Sequence, residues 1–480
     1  MTFVEPIKAA AGIILTRERE PRVLLARRSE ALRFMGGFHV FPGGRVDDDE
    51  PIHRVRGAGD PLEAAAIHAV AREIFEETGL LFARGRTPGL ETLRLARRGI
   101  LEGTDRFDAF LGRHDLHVAA EDFEPAGVWV TPAIAPVRFD TRYYLVRYDR
   151  AEGHELVVGE IDALDWLTPR EARRRWRQNQ LQLPPPVAYV LQQLASYAFP
   201  EVWERLRNVG EHRGDKPAKM EFRYGIYLLP LLSPTLAPAT HTNCVIIGEQ
   251  DLYVIDPGTH NSEEFGLLAR QLQMLIDLGG TVRGVLLTHS HVDHVGAAEF
   301  CRKTYGAPVW AHEAAARRLD FPVDRLLSDN EIIPIAGDPE WRLRCIHTPG
   351  HDPGHLCFIE ETTGTLIAGD MIANPGTIVV SIDHGGDMTQ FLASLERLAD
   401  EDCNLILPGH GMPMTHPREK FRKHLEHRLW REEKLKAALA EGHTRIEELL
   451  AKVYDDVPAE SWALAEYTLR AHLARLGAAL

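Results

Sequence analysis

At 480 residues the chain is too long for one ordinary domain, so two or three are expected. Apolar residues make up 44% and charged residues 26%, the composition of a globular protein. A formal net charge of −15 argues against a dedicated nucleic-acid binder with a basic surface throughout, although it leaves room for a local basic patch. Cys244, Cys301, Cys345, Cys357 and Cys403 are scattered and include no Cys-x-x-Cys pair, which points to reduced, mostly buried thiols. Met1 to Lys8 lacks the build of a signal peptide, and the apolar run from Tyr227 to Ala239 is broken by three prolines. A cytoplasmic α/β protein of several domains is the expectation.

Residues 1–205 are expected to form the first domain. Ala10 to Leu15, Arg22 to Ala26, Gly127 to Val130 and Thr141 to Val146 read as strands, and a helix is predicted from about Leu62 to Glu77. That helix closes on Arg72-Glu73-Ile74-Phe75-Glu76-Glu77-Thr78-Gly79-Leu80. Glu73, Glu76 and Glu77 stand at i, i+3 and i+4, so three carboxylates share one helix face. Their repulsion destabilises a bare helix, and a divalent cation removes it. Carboxylate oxygens with no histidine among them suit Mg²⁺ or Mn²⁺. A solvated acidic face is the plain alternative. Gly79 suits the left-handed residue that ends a helix.

The segment resembles the Nudix box, whose core is Arg-Glu-apolar-x-Glu-Glu-x-Gly-apolar, and the match over 72–80 is complete. Phe41-Pro42-Gly43-Gly44 is similar to the glycine turn that precedes the helix in that family. Ala58 and Ala64 stand where the common box has a glycine and a glutamate, which implies an insertion around Asp48 to Leu62. Such an insertion resembles the Nudix branch that includes coenzyme A diphosphatases, as do Val130-Thr131-Pro132, Arg138-Phe139-Asp140-Thr141-Arg142, Gly159-Glu160, Trp166 and Leu183-Pro184-Pro185-Pro186. The resemblance implies an α/β/α sandwich in which Glu73, Glu76 and Glu77 hold Mg²⁺ or Mn²⁺ and help position the attacking water, with Glu160 as a further carboxylate. Arg72 is expected to anchor the loop by an ion pair.

Residues 206–219 are charged, include Gly210 and Gly214, and read as a linker. From 220 to 416 strands alternate with helices. Val285-Leu286-Leu287 reads as a buried strand running into Thr288-His289-Ser290-His291-Val292-Asp293-His294, four metal-capable side chains within six residues. Gly350-His351, Gly369-Asp370 and Pro408-Gly409-His410 follow at places where strand ends could converge. The set resembles the metallo-β-lactamase superfamily, with Asp256-Pro257-Gly258 similar to its early strand-end aspartate. The resemblance implies an αββα sandwich. In it His289, His291 and His351 bind one ion, Asp293, His294 and His410 bind a second, Asp370 bridges them, and Asp293 helps orient the activated water. Zn²⁺ is the first expectation, with Fe and Mn open. His347 and His355 are expected to be structural; His384 and Asn374 are candidate substrate contacts.

Residues 417–480 read as a helical tail. Arg418 to Lys436 holds eight basic and four acidic side chains, a net +4. A second helix is expected to start at Thr444 as N-cap, with Glu447 at the capping-box position, and a third spans Ala463 to Leu476. Their order resembles the winged-helix-like tail of the β-lactamase-like protein 2 family, which includes a single-strand-cleaving endoribonuclease. Two functions stay open. One is hydrolysis of a small ester or thioester, such as an acyl-CoA, beside a Mg²⁺-dependent diphosphatase. The other is cleavage of RNA, with the Nudix-like domain as a binding module. No membrane role is expected.

Overall fold

The computed structural model describes residues 6–32, 35–131, 138–149, 160–209, 220–338 and 340–478. Pro132, Gly159 and residues 210–219 of the expected linker lie outside the described residues. The described residues group into two folded units, one of which contains the residues up to 209 and Glu221–Tyr224, and the other the residues from Gly225 on.

The first unit is built on a mixed sheet. Its order is His39–Val40, Val23–Arg28, Ile7–Thr16, Phe139–Tyr148, Phe123–Val130, with Gly43–Arg45 paired to Ile7–Thr16 and Ile161–Leu167 paired to Val23–Arg28. Alternate residues face opposite sides, as the pleat requires. Ala10, Ile14, Leu24, Tyr144 and Val146 pack against Ile67, Val70, Ile74 and Phe75 of the helix Pro61–Thr78. Ile13, Leu15, Leu25 and Leu145 pack on the other side, against helices Pro169–Arg177, Pro185–Ser196 and Glu201–Arg207. Covered on both faces, the central strand carries an unbroken buried run from Ala9 to Thr16. Asp60 caps the helix by accepting from Glu63 N at 2.8 Å, a contact worth about 1 kcal/mol. Gly79 ends it with φ +76°. The insertion holds a single helical turn, Ile52–Arg54, and a short strand, Val55–Arg56, paired with Val118–Ala119.

The second unit has two facing sheets. One runs Ile226–Leu232, His241–Ile247, Asp251–Ile255, Thr281–Leu286, Val309–His312, Arg325–Leu327. The other runs Ile332–Ile335, Trp341–His347, Leu356–Glu360, Thr365–Asn374, Leu405–Gly411, Met414–Thr415. Helices Ser262–Asp277 and Ala298–Tyr305 cover the outer face of the first, and Met388–Asp400 that of the second. Asn243 ties the sheets together, its Nδ2 donating to Pro408 O at 2.9 Å and Gly411 O at 2.8 Å. Three tail helices follow, Pro417–Ala440, Ile446–Val453 and Trp462–Leu476. The second starts later than expected. Arg445 is its N-cap and no side chain caps it. Gly442 turns the chain at φ +88°, and His443 lies 3.5 Å from both Glu441 and Glu448. Among the described residues no helix is long and apolar enough to cross a membrane.

Candidate metal centres

In the second unit, four separate chain segments deliver the metal-capable side chains to one end of the two sheets. His289 follows the strand Thr281–Leu286, and His291 opens the single turn Val292–Val295 that bears Asp293 and His294. His351 lies beyond Trp341–His347, while Asp370 and His410 lie within the strands Thr365–Asn374 and Leu405–Gly411. All but His291 are buried.

Their outward nitrogens are held, and the partners decide where the protons are. His351 Nδ1 donates to the Val379 carbonyl at 2.8 Å, and His410 Nδ1 donates to the His241 carbonyl at 2.9 Å. A carbonyl only accepts, so the proton is on Nδ1 and the inward Nε2 keeps its lone pair. His294 Nδ1 lies 2.8 Å from Asp256 Oδ2, which fixes the same tautomer. Thr288 donates its hydroxyl hydrogen to Asp256 Oδ2 at 2.6 Å and accepts from His289 Nδ1 at 2.9 Å. Asp256 therefore orients two imidazoles from behind.

The inward atoms form two groups that could each hold a metal ion, His289 with His291 and His351, and Asp293 with His294 and His410. His291 Nδ1 is 3.0 Å from His289 Nε2 and 2.9 Å from His351 Nε2. Asp370 spans the two groups. Its Oδ1 is 3.5 Å from His294 and 3.3 Å from His410, and its Oδ2 is 3.5 Å from His351. His294 Nε2 and Asp370 Oδ1 are buried without a hydrogen-bond partner. Converging nitrogen and carboxylate oxygen atoms, two of them buried without a hydrogen-bond partner, are the donor set that a divalent ion takes, so the residues fit a divalent-metal site. Burial, with neighbouring imidazoles, pushes His289 well below its ordinary pKa and His291 down to about 4. Burial also opposes protonation of His294, but Asp293, Asp370 and Asp256 outweigh it and raise that residue well above its ordinary value. A third grouping, Asp256 with His289 and His294, is geometrically close. Asp256 is already engaged by Thr288 and the outer nitrogen of His294, so it serves as a support.

The remaining histidines sort by partner. His355 Nε2 accepts from Asp370 N at 3.1 Å and its Nδ1 meets Thr348 Oγ1 at 2.8 Å, so no lone pair is left for a metal. His347 Nε2 donates to the Pro353 carbonyl at 3.0 Å. Asn374 donates to the Met412 carbonyl at 3.1 Å, a structural contact. His384 is near the site, its ring 6.3 Å from that of His291.

In the first unit the helix Pro61–Thr78 brings Glu73, Glu76 and Glu77 together at its last turns. Gly43 N donates to Glu77 Oε2 at 3.1 Å. A Cβ at Gly43 would lie 2.4 Å from the backbone oxygen of Ala10, so glycine lets the turn run this close to the neighbouring strand. Arg72 Nη1 donates to Glu73 at 2.9 Å and Glu76 at 3.4 Å, while Nη2 donates to the Arg45 carbonyl at 3.1 Å and Glu50 at 3.0 Å. Burial raises Glu73 to about 7, against the pull of Arg72, and raises Glu77 to about 8 with help from the Glu73 charge. Glu160 adds to the negative field on both. Carboxylates whose hold on a proton is strengthened by burial, and further by one another, are what a hard divalent cation displaces protons from. Glu50, buried in the insertion and also paired with His68, was not singled out from the sequence. His68 stands four residues before Arg72 on the same helix face, the one sequence signal that could have pointed to this network.

The tail changes the reading of its basic helix. Arg428 and Arg431 are buried, and Arg431 is bound to Asp456. Lys434 pairs with Asp455 and Lys436 with Glu433. With Arg422, 3.9 Å from Asp400, five of the eight basic side chains thus serve contacts within the unit.

Residues 237–410 match the sequence model of the metallo-beta-lactamase superfamily, and residues 6–186 match that of the NUDIX domain. The chain is 27% identical over 255 residues to Beta-lactamase-like protein 2 homolog of Drosophila melanogaster, an alignment covering 51% of this chain and 85% of that protein. It is 29% identical over 218 residues to Putative nudix hydrolase 7 of Caenorhabditis elegans, covering 44% of this chain and 68% of that one. It is also 29% identical over 214 residues to an atrochrysone carboxyl ACP thioesterase of Pseudocercospora fijiensis, covering 44% and 59%. One polypeptide thus joins a Nudix domain to a metallo-β-lactamase domain, and both are of hydrolase families.

Proposed function

We propose that the C-terminal domain is a dinuclear zinc hydrolase for a small thioester or ester of the acyl-CoA type, and that the N-terminal domain is a Mg²⁺-dependent diphosphatase. The observation that carries the first part is the convergence of His289, His291 and His351 with Asp293, His294 and His410 across Asp370. We assign the first three to one ion, the next three to a second, and Asp370 to both. Divalent ions held there lower the pKa of water and polarise a carbonyl. Asp293 orients the attacking water, its Oδ2 lying 3.5 Å from His410 Nε2. Asp256, Val379 O and His241 O hold the imidazoles in the tautomer that the chemistry needs.

The substrate class rests on two supports. One relative is named a thioesterase, and the N-terminal domain resembles Nudix enzymes that act on coenzyme A. In the N-terminal domain Glu73, Glu76 and Glu77 hold Mg²⁺ against a diphosphate, with Arg72 steadying the carboxylates. An RNA substrate finds less support, because Arg428 and Arg431 of the basic helix are spent inside the unit.

Product mass spectrometry after incubation with an acyl-CoA, Mg²⁺ and Zn²⁺ tests both halves. Free CoA that disappears in His291→Ala supports the thioesterase, and 3′,5′-ADP that disappears in Glu76→Gln supports the diphosphatase. If neither product forms, the acyl-CoA reading falls and single-stranded RNA is the next substrate.

A further inference from the structure

His351 Nδ1 donates to the carbonyl of Val379 at 2.8 Å. That carbonyl lies in the segment between the strand Thr365–Asn374 and the helix Met388–Asp400, where Ile378 and Val380 are buried. The tail holds the residues on both sides of it. Arg428, from the helix Pro417–Ala440, donates through Nη2 to the carbonyl of Ile378. Thr468, from the helix Trp462–Leu476, accepts from Val380 N at 3.4 Å. Arg428 and Thr468 are both buried, 4% and 5% exposed.

Arg428 is an unusual residue to bury. No carboxylate figures among the charges that act on it, and burial pushes its pKa down. Its ring neighbour is Phe391, 5.4 Å from the guanidinium carbon. A buried guanidinium without an anionic partner is costly, and the observed return is a charge-assisted bond to one backbone carbonyl. A tail that only covered the domain would do better with an apolar side chain there.

We infer that the helical tail is a working part of the metal centre: Arg428 and Thr468 grip both ends of Ile378-Val379-Val380 and thereby set the carbonyl that orients His351. This rests on the metal-centre reading above. Both are positioning residues, because they act through Val379 and His351. The tail thus takes the place of a rigid strand beneath Ile378-Val379-Val380, which belong to no helix or strand. The same segment continues to His384, whose ring lies 6.5 Å from that of Tyr467, so the tail also reaches the rim of the site.

The test is the affinity of the full chain for Zn²⁺, by competition with a chromophoric chelator, with excess Mg²⁺ to fill the carboxylate site. Arg428→Met, Arg428→Lys and Thr468→Val are compared with the unaltered chain, and circular dichroism reports folding. The expected result is that Arg428→Met and Thr468→Val weaken one of two Zn²⁺ ions by about tenfold and leave the other unchanged. Arg428→Lys, which can still donate to Ile378, restores most of the loss. Unchanged affinity for both ions in folded Thr468→Val overturns the inference, as does equal weakening of both. Thr468→Val is isosteric and decides the matter if Arg428→Met does not fold. If the unaltered chain takes up no Zn²⁺, the metal-centre reading itself fails, which is a different outcome from a tail without influence.

Discussion

The two candidate centres reach a similar end by opposite routes. In the N-terminal domain a single helix supplies Glu73, Glu76 and Glu77, and the arrangement follows from the 3.6-residue repeat. In the C-terminal domain seven side chains come from four segments up to 121 residues apart in sequence, from His289 to His410. The carboxylates are held by one arginine, Arg72, and by a backbone amide, Gly43 N. Three of the imidazoles are locked from behind by the backbone carbonyls of Val379 and His241 and by the Asp256 carboxylate. A site made on one helix is cheap to specify and depends on its cation for relief of repulsion. A site made by convergence depends on its supports.

The strongest way to break this comparison is to remove an inward ligand. His291→Ala is expected to lower kcat/KM for thioester hydrolysis by roughly 10³-fold, about 4 kcal/mol of transition-state stabilisation, while diphosphate cleavage continues. Steady-state kinetics on both products checks this. Equal loss of both activities would mean that the two centres are not independent. Next is Glu76→Gln, expected to lower diphosphate cleavage by about 10²-fold with thioester hydrolysis intact. Asp256→Asn touches no inward position, yet it removes the anion behind His294 and Thr288. It is expected to weaken Zn²⁺ binding by about 10- to 100-fold, measured by chelator competition. Unchanged affinity would show that the supports matter less than argued.

The smallest effect is a pH dependence confined to the N-terminal domain. Glu73 and Glu77 are raised to about 7 and about 8 in the folded protein from an ordinary value of 4.5. The folded state therefore binds more protons than the unfolded state between these values, and stability falls as pH rises through them. The contribution is fully present below about pH 4.5 and lost by about pH 8. Thermal unfolding of the metal-free chain followed from pH 5 to 8.5 is expected to show this slope, with Mg²⁺ flattening it and Glu77→Gln reducing it. A flat profile without metal would argue that the carboxylates are better solvated than their burial implies.

Much of the architecture was legible from local pattern. The helix expected from about Leu62 to Glu77 spans Pro61–Thr78, and the strand expected over Thr141 to Val146 spans Phe139–Tyr148. The N-cap expected at Thr444 falls one residue later, at Arg445, beyond the turn at Gly442 and the contacts of His443 with Glu441 and Glu448. Propensity for a cap cannot foresee such neighbours.

By itself the sequence determined which side chains have metal-binding chemistry and, for the three glutamates, that they share one face, because helical spacing is a local property. It also carried the motifs that mark both hydrolase families. Only the tertiary structure decided that Glu50 from the insertion meets Arg72, that Arg428 and Arg431 turn inward, and that Val379 lies behind His351. Each of these is a contact between distant segments made through a backbone carbonyl or a buried charge. Backbone carbonyls are the same at every residue, so no residue type in the sequence announces which one a folded chain will use.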